Sequence, residues 1–331
     1  MTTVGGDRAL STLLRFRLGR HHPVCAVATV REGIITTATV GATIERDFEI
    51  GSISKGITGL LYTDACERGD VTPQSTLGEF LPLAGCAAAD LALGAISTHR
   101  SGLPRLPRSA HPLQRTIELW REGTNPYGET LDELLALART VTLSSPRPRY
   151  SNIGFELLGH AIARAAGLSY TELLAERISG PLGMAGTYAP KDPTGLRPTA
   201  LVGTNRSGRS VEPWTGEALA PAGGIRSTIG DLGALAGALA DKSAPGIDAL
   251  EPVATFGTIA MRIGAAWVTL EGRGAPVTWH NGGTGGFRSW LGVDREAQTA
   301  VVLLTATSRS VDGHGFRWLR ELTESPARVR T

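Results

Sequence analysis

Lysine is scarce in this chain: of 33 basic residues only Lys55, Lys191 and Lys242 are lysines. The remaining cations are arginines scattered among 31 acidic residues, and the formal net charge is only +2. That balance gives neither a basic stripe for nucleic acid nor a polybasic patch for a membrane surface, so neither partner is expected. Cysteine is equally sparse. Cys25, Cys66 and Cys86 lie in apolar or helical surroundings and read as small buried hydrophobes, which argues against a disulfide framework and for a reducing compartment. No run approaches the ~18 apolar residues needed to span a bilayer. The stretch Met1 to Arg20 carries arginines throughout and lacks the apolar core and cleavage site of a signal peptide, so a cytoplasmic location is expected. His21, His22, His99, His111, His160, His280 and His314 show neither H-E-x-x-H nor carboxylates at ligand spacing, so no metal and no cofactor are expected.

What is present is ample apolar material. With 331 residues and 41% hydrophobic content, the chain can bury the core of one or two intimately packed domains. After a short amphipathic helix (roughly Ala9 to Arg20), residues 24–30 and 34–40 alternate as strands joined by Glu32-Gly33. Strand-like stretches return at 265–270, 277–280, 287–293 and 300–305, and a last helix fits 311–324. Between them lie helix formers broken by Gly and Pro, as in Gly56 to Arg68, Leu131 to Arg139, Ile153 to Ala166, Tyr170 to Ile178 and Thr228 to Ala240. The expected fold class is α/β (α+β): an antiparallel sheet supplied by both ends of the chain (1–55 and 246–331), flanked by helices, with a mainly helical inserted region (56–245). The cleft between the two regions is where a small-molecule site belongs.

Ser52-Ile53-Ser54-Lys55 follows Phe48-Glu49-Ile50-Gly51 at a strand-to-helix junction. In a helix, residues at i and i+3 share a face, so the Lys55 amine reaches the Ser52 hydroxyl. Unpaired N–H groups and the helix dipole in that first turn favour negative charge growing on oxygen. A buried lysine that has given up its own proton can take one from a serine and make it a nucleophile. A single S-x-x-K match is still a weak signal.

Two further segments strengthen it. Tyr150-Ser151-Asn152 stands between the Pro146/Pro148 loop and a helix. Taken alone it is equally a helix start, with Ser151 or Asn152 as the cap. Beside S-x-x-K, Tyr150 becomes a candidate to shuttle the serine proton, and Asn152 to contact substrate or orient Lys55. His280-Asn281-Gly282-Gly283-Thr284-Gly285-Gly286-Phe287 ends a strand. So many glycines fit a tight hairpin, but they also let a substrate approach a strand edge, where a backbone N–H can complete an oxyanion hole with that of Ser52.

With these segments in order, the chain resembles the serine β-lactamase-like hydrolases, in the branch of class C β-lactamases, D-alanyl-D-alanine carboxypeptidases and esterases. The likeness runs over nearly the whole length. Further similar segments are Thr98-His99-Arg100-Ser101-Gly102-Leu103-Pro104, Gly180-Pro181-Leu182-Gly183-Met184 and Pro221-Ala222-Gly223-Gly224-Ile225-Arg226-Ser227-Thr228. The resemblance implies a β-lactamase/transpeptidase-like fold with Ser52 as acylated nucleophile, Lys55 assisting its deprotonation and Tyr150 as general base. It implies Asn152 as the substrate-amide contact, with His280, Asn281 and Gly282 forming the third motif, and the N–H groups of Ser52 and Gly283 as the oxyanion hole.

Two departures shape the functional expectation. His280 stands where true class C β-lactamases have lysine, and an imidazole holds a carboxylate less surely than a permanent ammonium, which argues against a dedicated β-lactamase. The stretch Ser144-Ser145-Pro146-Arg147-Pro148-Arg149 lacks the usual Pro-Gly and aromatic, implying a reshaped cleft wall. Arg105, Arg108, Arg147 and Arg149 read as solvated loop charge or as contacts for an anionic substrate. The expected activity is a hydrolase or acyltransferase acting on a small-molecule ester or amide through an acyl-enzyme, with water, an amine or an alcohol as acceptor. The alternatives are an intracellular transacylase of natural-product assembly and a non-catalytic binding or sensor domain on the same fold.

Overall fold

Both ends of the chain enter one sheet. The computed structural model describes residues 2–105, 124–272 and 274–324. Its main sheet contains β1 (Val4–Gly6), β2 (Cys25–Arg31), β3 (Ile34–Val40), β6 (Ala254–Phe256), β7 (Thr258–Ile263), β8 (Val268–Gly272), β9 (Gly274–Gly283), β10 (Arg288–Asp294) and β11 (Thr299–Thr305). The strand order is β1-β3-β2-β11-β10-β9-β8-β7-β6, antiparallel at every pairing. N-terminal β2 pairs directly with C-terminal β11, Val27 opposite Leu303, so the sheet closes only when the two chain ends meet. The hairpin β6–β7 at one edge was not expected from the sequence. A second, two-stranded sheet joins β4 (Asp47–Glu49) to β5 (Arg226–Thr228), Glu49 facing Arg226.

The described helices are α1 (Arg8–Leu18), α2 (Ile53–Arg68), α3 (Leu77–Phe80), α4 (Leu93–Ser97), α5 (Leu131–Arg139), α6 (Asn152–Ala165), α7 (Tyr170–Leu174), α8 (Ile229–Ala240) and α9 (Asp312–Glu324). Asp7, Thr130, Ser151, Ser169 and Thr228 each cap a helix by accepting a backbone N–H in its first turn, whereas the Ser52 side chain, ahead of α2, does not. The helix expected over 170–178 is shorter, because α7 stops at Leu174 and residues 175–179 form a π-helical turn that ends with Gly180 N–H on Ala175 O, at 2.8 Å.

The helices form two layers. Helices α1 and α9 cover one face of the sheet, over a cluster that includes Leu14, Val27, Trp290, Leu303 and Trp318. On the other face α8 lies across β2, β3 and β11, and α2 runs beside β9 and β10. Apolar residues lie all around α2, as befits a helix at the centre of the larger core, which it shares with α6 and α8. The same core therefore supports the sheet, the inserted helices and the first turn of α2.

Candidate active site

The strand leading to Ser52 is fixed by charge. Arg226 has no exposed side-chain surface; its Nε lies 2.5 Å from Asp47 Oδ1 and its Nη1 3.1 Å from Glu49 Oε1, while Nη2 donates to Asp47 O and Leu201 O at 3.2 and 2.9 Å. Burial pushes the Glu49 carboxyl upward and the Arg226 charge opposes it. Beyond β4 the chain turns through Gly51, whose φ of +52° suits glycine. A Cβ on Gly51 would stand 2.5 Å from Gly283 N, so the turn into Ser52 abuts the end of β9 because Gly51 has no side chain. Ser289 Oγ donates to Ile50 O at 2.7 Å and ties the same turn to β10. The N–H groups of Ser52 and Gly283 are thus carried on two backbone segments in contact.

Ser52 precedes α2, and Lys55, one turn in, is buried. Lys55 Nζ donates to Ser52 Oγ at 3.2 Å and to Ala222 O at 2.5 Å. It also lies 4.9 Å from the centre of the Tyr150 ring. Tyr150 is propped by His99, whose ring centre is 4.6 Å away, and His99 Nδ1 accepts the Ser151 N–H at 3.2 Å. Complete burial holds His99 well below the ordinary histidine value, with the Lys55 charge acting the same way, so its ring is neutral and able to accept. Ser151 caps α6 by accepting Gly154 N–H at 3.0 Å and itself donates to Pro104 O at 2.7 Å. The helix-start reading of this segment and its placement at the site are therefore both true.

Asn152, first in α6, donates from Nδ2 to Tyr127 Oη at 3.0 Å, and its Oδ1 is buried without a hydrogen-bond partner among the described residues. One turn further, Glu156 is buried and its carboxyl is pushed up to about 8 by burial, with Lys55 opposing and Glu129 reinforcing the shift. At neutral pH it adds little negative charge beside Lys55.

A cleft of about 620 Å³ opens over these groups, and Ser52, Lys55, Tyr150, Asn152, Asn281, Gly282 and Gly283 all line it. His280 does not. Its side chain enters an adjoining pocket of about 120 Å³ with His99 and Tyr150, where burial lowers it to about 4. Nδ1 lies 2.7 Å from Asn281 O, and the ring meets Trp267 edge to face at 6.2 Å. His280 is therefore a neutral ring behind Tyr150 at pH 7. Of the arginines considered from sequence, Arg105 lines the cleft, Arg147 and Arg149 are exposed, and Arg108, like His111, lies outside the described residues.

Sequence reasoning missed other parts of the wall. Tyr127 and Trp214 pack at 4.7 Å between ring centres, and Arg288 and Asp312 stand at the far end, where Asp312 accepts from Asn281 Nδ2 at 3.1 Å. Tyr127 and Trp214 lie in loops without periodicity, so only composition, two aromatics in a chain that has few, marked them. Among the described residues no group of three or more His, Cys, Asp or Glu is arranged to hold a metal ion, and no helix is long and apolar enough to cross a membrane.

A family model described as Beta-lactamase matches residues 18–323. D-alanyl-D-alanine-carboxypeptidase/endopeptidase AmpH of Escherichia coli K12 is 28% identical over 188 residues, 55% of this chain and 46% of that protein. A beta-lactamase-like protein of Arthroderma benhamiae is 26% identical over 299 residues, 79% of this chain and 49% of its own length. The chain thus spans about half the length of these curated relatives. Among solved structures, a class C beta-lactamase superposes with a TM-score of 0.78 at 18% identity, covering 97% of this chain and 96% of that one. A beta-lactamase/D-alanine carboxypeptidase from Pseudomonas syringae gives 0.78 at 17%, over 96% and 100% of the two chains. These likenesses show the class C β-lactamase fold.

Proposed function

Because the chain belongs to the Beta-lactamase family, we propose that it is a serine enzyme that takes the acyl group of a small ester or amide onto Ser52. The observation that carries this reading is the Lys55 amine 3.2 Å from the Ser52 hydroxyl, buried and anchored by Ala222 O. A binding domain has no use for a buried amine aimed at a serine.

In the proposed reaction Lys55 acts from its free-amine form and takes the Ser52 proton, with Tyr150 sharing it, as Oγ bonds to the substrate carbonyl carbon. The oxyanion is met by the N–H groups of Ser52 and Gly283. Collapse of the adduct breaks the bond to the leaving alcohol or amine, which receives the proton, and leaves an ester on Ser52. Water, or a bound amine or alcohol, then attacks that ester and gives up its proton to Tyr150 or Lys55, which passes it to Ser52 Oγ as the ester bond breaks and the acceptor carries the acyl group away. Asn152 contacts the acyl portion, and Asn281 and Gly282 form the strand edge along which the donor lies. A neutral His280 behind Tyr150 gives no fixed positive charge to a substrate carboxylate, which supports an esterase or amidase over a dedicated β-lactamase.

The test is turnover of p-nitrophenyl esters, aryl amides and a chromogenic β-lactam, in water and with added amines or alcohols. Ester hydrolysis lost in Ser52→Ala supports the reading. Acceleration by an amine with formation of the acylated amine places the enzyme among transacylases. Equal rates for wild type and Ser52→Ala would refute a serine mechanism.

A further inference from the structure

Helix α2 presents three polar side chains to the segment 221–225. Ser54 Oγ accepts Ile225 N–H at 3.3 Å, Lys55 Nζ donates to Ala222 O at 2.5 Å, and Thr58 Oγ1 lies 2.7 Å from Pro221 O. Thr58 Oγ1 is also 2.7 Å from Tyr170 Oη and 3.0 Å from Ser54 O. A threonine hydroxyl has one proton to give. Ser54 O is the ordinary helical acceptor for Thr58 N–H, and Pro221 O is the nearer of the two carbonyls, so the hydroxyl proton goes to Pro221. Tyr170 is fully buried on α7, which pushes its phenol above the ordinary value, so it remains an O–H and donates to Thr58. The result is a chain in one direction, Tyr170 O–H to Thr58 O–H to Pro221 O, in which each bond polarises the next.

The segment is held from the other side by α6. A Cβ on Gly159 would stand 2.2 Å from Pro221 Cβ, so only glycine there lets Pro221 sit against the helix. Two consecutive carbonyls are thus gripped by neighbouring positions on α2, Pro221 O by Thr58 and Ala222 O by Lys55. An amine with one N–H committed to Ala222 O loses free rotation, and its remaining directions include Ser52 Oγ, at 3.2 Å.

We infer that Thr58 and Tyr170 are positioning residues: by holding Pro221 O they fix Ala222 O, and through it they aim the Lys55 amine at Ser52. The inference rests on the reading of Ser52 as nucleophile and Lys55 as its proton partner. It assigns a task to the Pro221-Ala222-Gly223-Gly224-Ile225 stretch, which presents backbone carbonyls to the catalytic helix.

The experiment is single-turnover acylation by a p-nitrophenyl ester, measured over donor concentration for wild type, Thr58→Val, Thr58→Ser, Tyr170→Phe and Ser52→Ala. Leu173→Ala, a cavity in α7 that touches none of these bonds, serves as a stability control. Thr58→Val is expected to slow the limiting acylation rate roughly tenfold to a hundredfold while the half-saturating donor concentration stays within about twofold. Thr58→Ser should restore most of the rate, and Tyr170→Phe, which leaves Thr58 its proton, should fall between. If Thr58→Val does not fold, Tyr170→Phe carries the test, since it removes one oxygen and no packing volume. Leu173→Ala should lower the melting temperature and leave acylation of the folded protein unchanged. Wild-type rates in Thr58→Val or Tyr170→Phe, or equal slowing in Leu173→Ala, would overturn the inference. If Ser52→Ala acylates as wild type does, the reading beneath it fails instead.

Discussion

On one face of the sheet, α1 and α9 cover an apolar cluster of Leu14, Val27, Leu303 and Trp318, where the contacts are dispersive and have no preferred direction. On the other, Lys55 and Thr58 of α2 are buried, as are Asp47, Glu49 and Arg226 of the small sheet leading into it, and each of these residues has a named partner at 2.5 to 3.2 Å. The first face tolerates a small shift of its layers at the cost of a little contact. The second does not, because a displaced donor leaves a buried acceptor unsatisfied, which costs about 1–3 kcal/mol. Stability is shared between the faces, whereas the aim of Lys55 at Ser52 depends on the polar one.

Substitutions on each face should separate those roles. The largest effect is expected from Ser52→Ala, with acylation falling at least roughly 10³-fold while urea unfolding stays within about 0.5 kcal/mol of wild type. Next comes Arg226→Met, which leaves the Asp47 and Glu49 carboxylates buried without their cation. It should cost about 3–5 kcal/mol in urea unfolding, and it should also slow the folded enzyme, since β4 leads directly into Gly51 and Ser52. Leu14→Ala, on the apolar face, should lose about 3 kcal/mol yet acylate at the wild-type rate per folded molecule. A slowed folded fraction in Leu14→Ala would erase the distinction between the faces.

The smallest effect concerns pH. His160 is buried on α6 with Nε2 3.2 Å from Glu217 O, and burial lowers it to about 4 from an ordinary 6.5. The folded ring stays neutral where the unfolded one protonates, so its contribution is complete above pH 6.5 and is lost as pH falls toward 4. Wild type should therefore lose stability relative to His160→Gln by about 1.4 kcal/mol per pH unit in that window, measured by urea unfolding at several pH values. A pH-independent difference would show that the ring takes up its proton alike in the folded and unfolded chain.

Much of this architecture was legible in the sequence because it is local. Strand β3 occupies 34–40 and α5 occupies Leu131–Arg139, as the residue pattern indicates, and β2, β10, β11 and α8 fall within a residue or so of expectation. The S-x-x-K spacing sufficed to bring Lys55 to Ser52, since one helical turn is the same in every helix. What could not be read depends on pairings distant in the chain or on groups every residue has. Arg226 meets Asp47 and Glu49 across about 180 residues, with no periodicity to announce it. Ala222 O holds the lysine through a backbone carbonyl, which carries no sequence identity. The side to which His280 points depends on β9 register, since alternate residues of a strand face opposite ways. The β6–β7 hairpin escaped notice because most of its residues are half-buried, with no sustained buried-and-exposed alternation along β7.

The most direct test of the central claim is mass spectrometry of the protein quenched within seconds of adding an activated ester, followed by mapping of the tryptic peptide Asp47 to Lys55. That peptide contains both Ser52 and Ser54, so fragmentation distinguishes the nucleophile from its neighbour. The expected result is one acyl group on Ser52, absent from Ser52→Ala and much slower to form in Lys55→Ala. Acylation on Ser54 or elsewhere, or an adduct that forms as fast without Lys55, would contradict it.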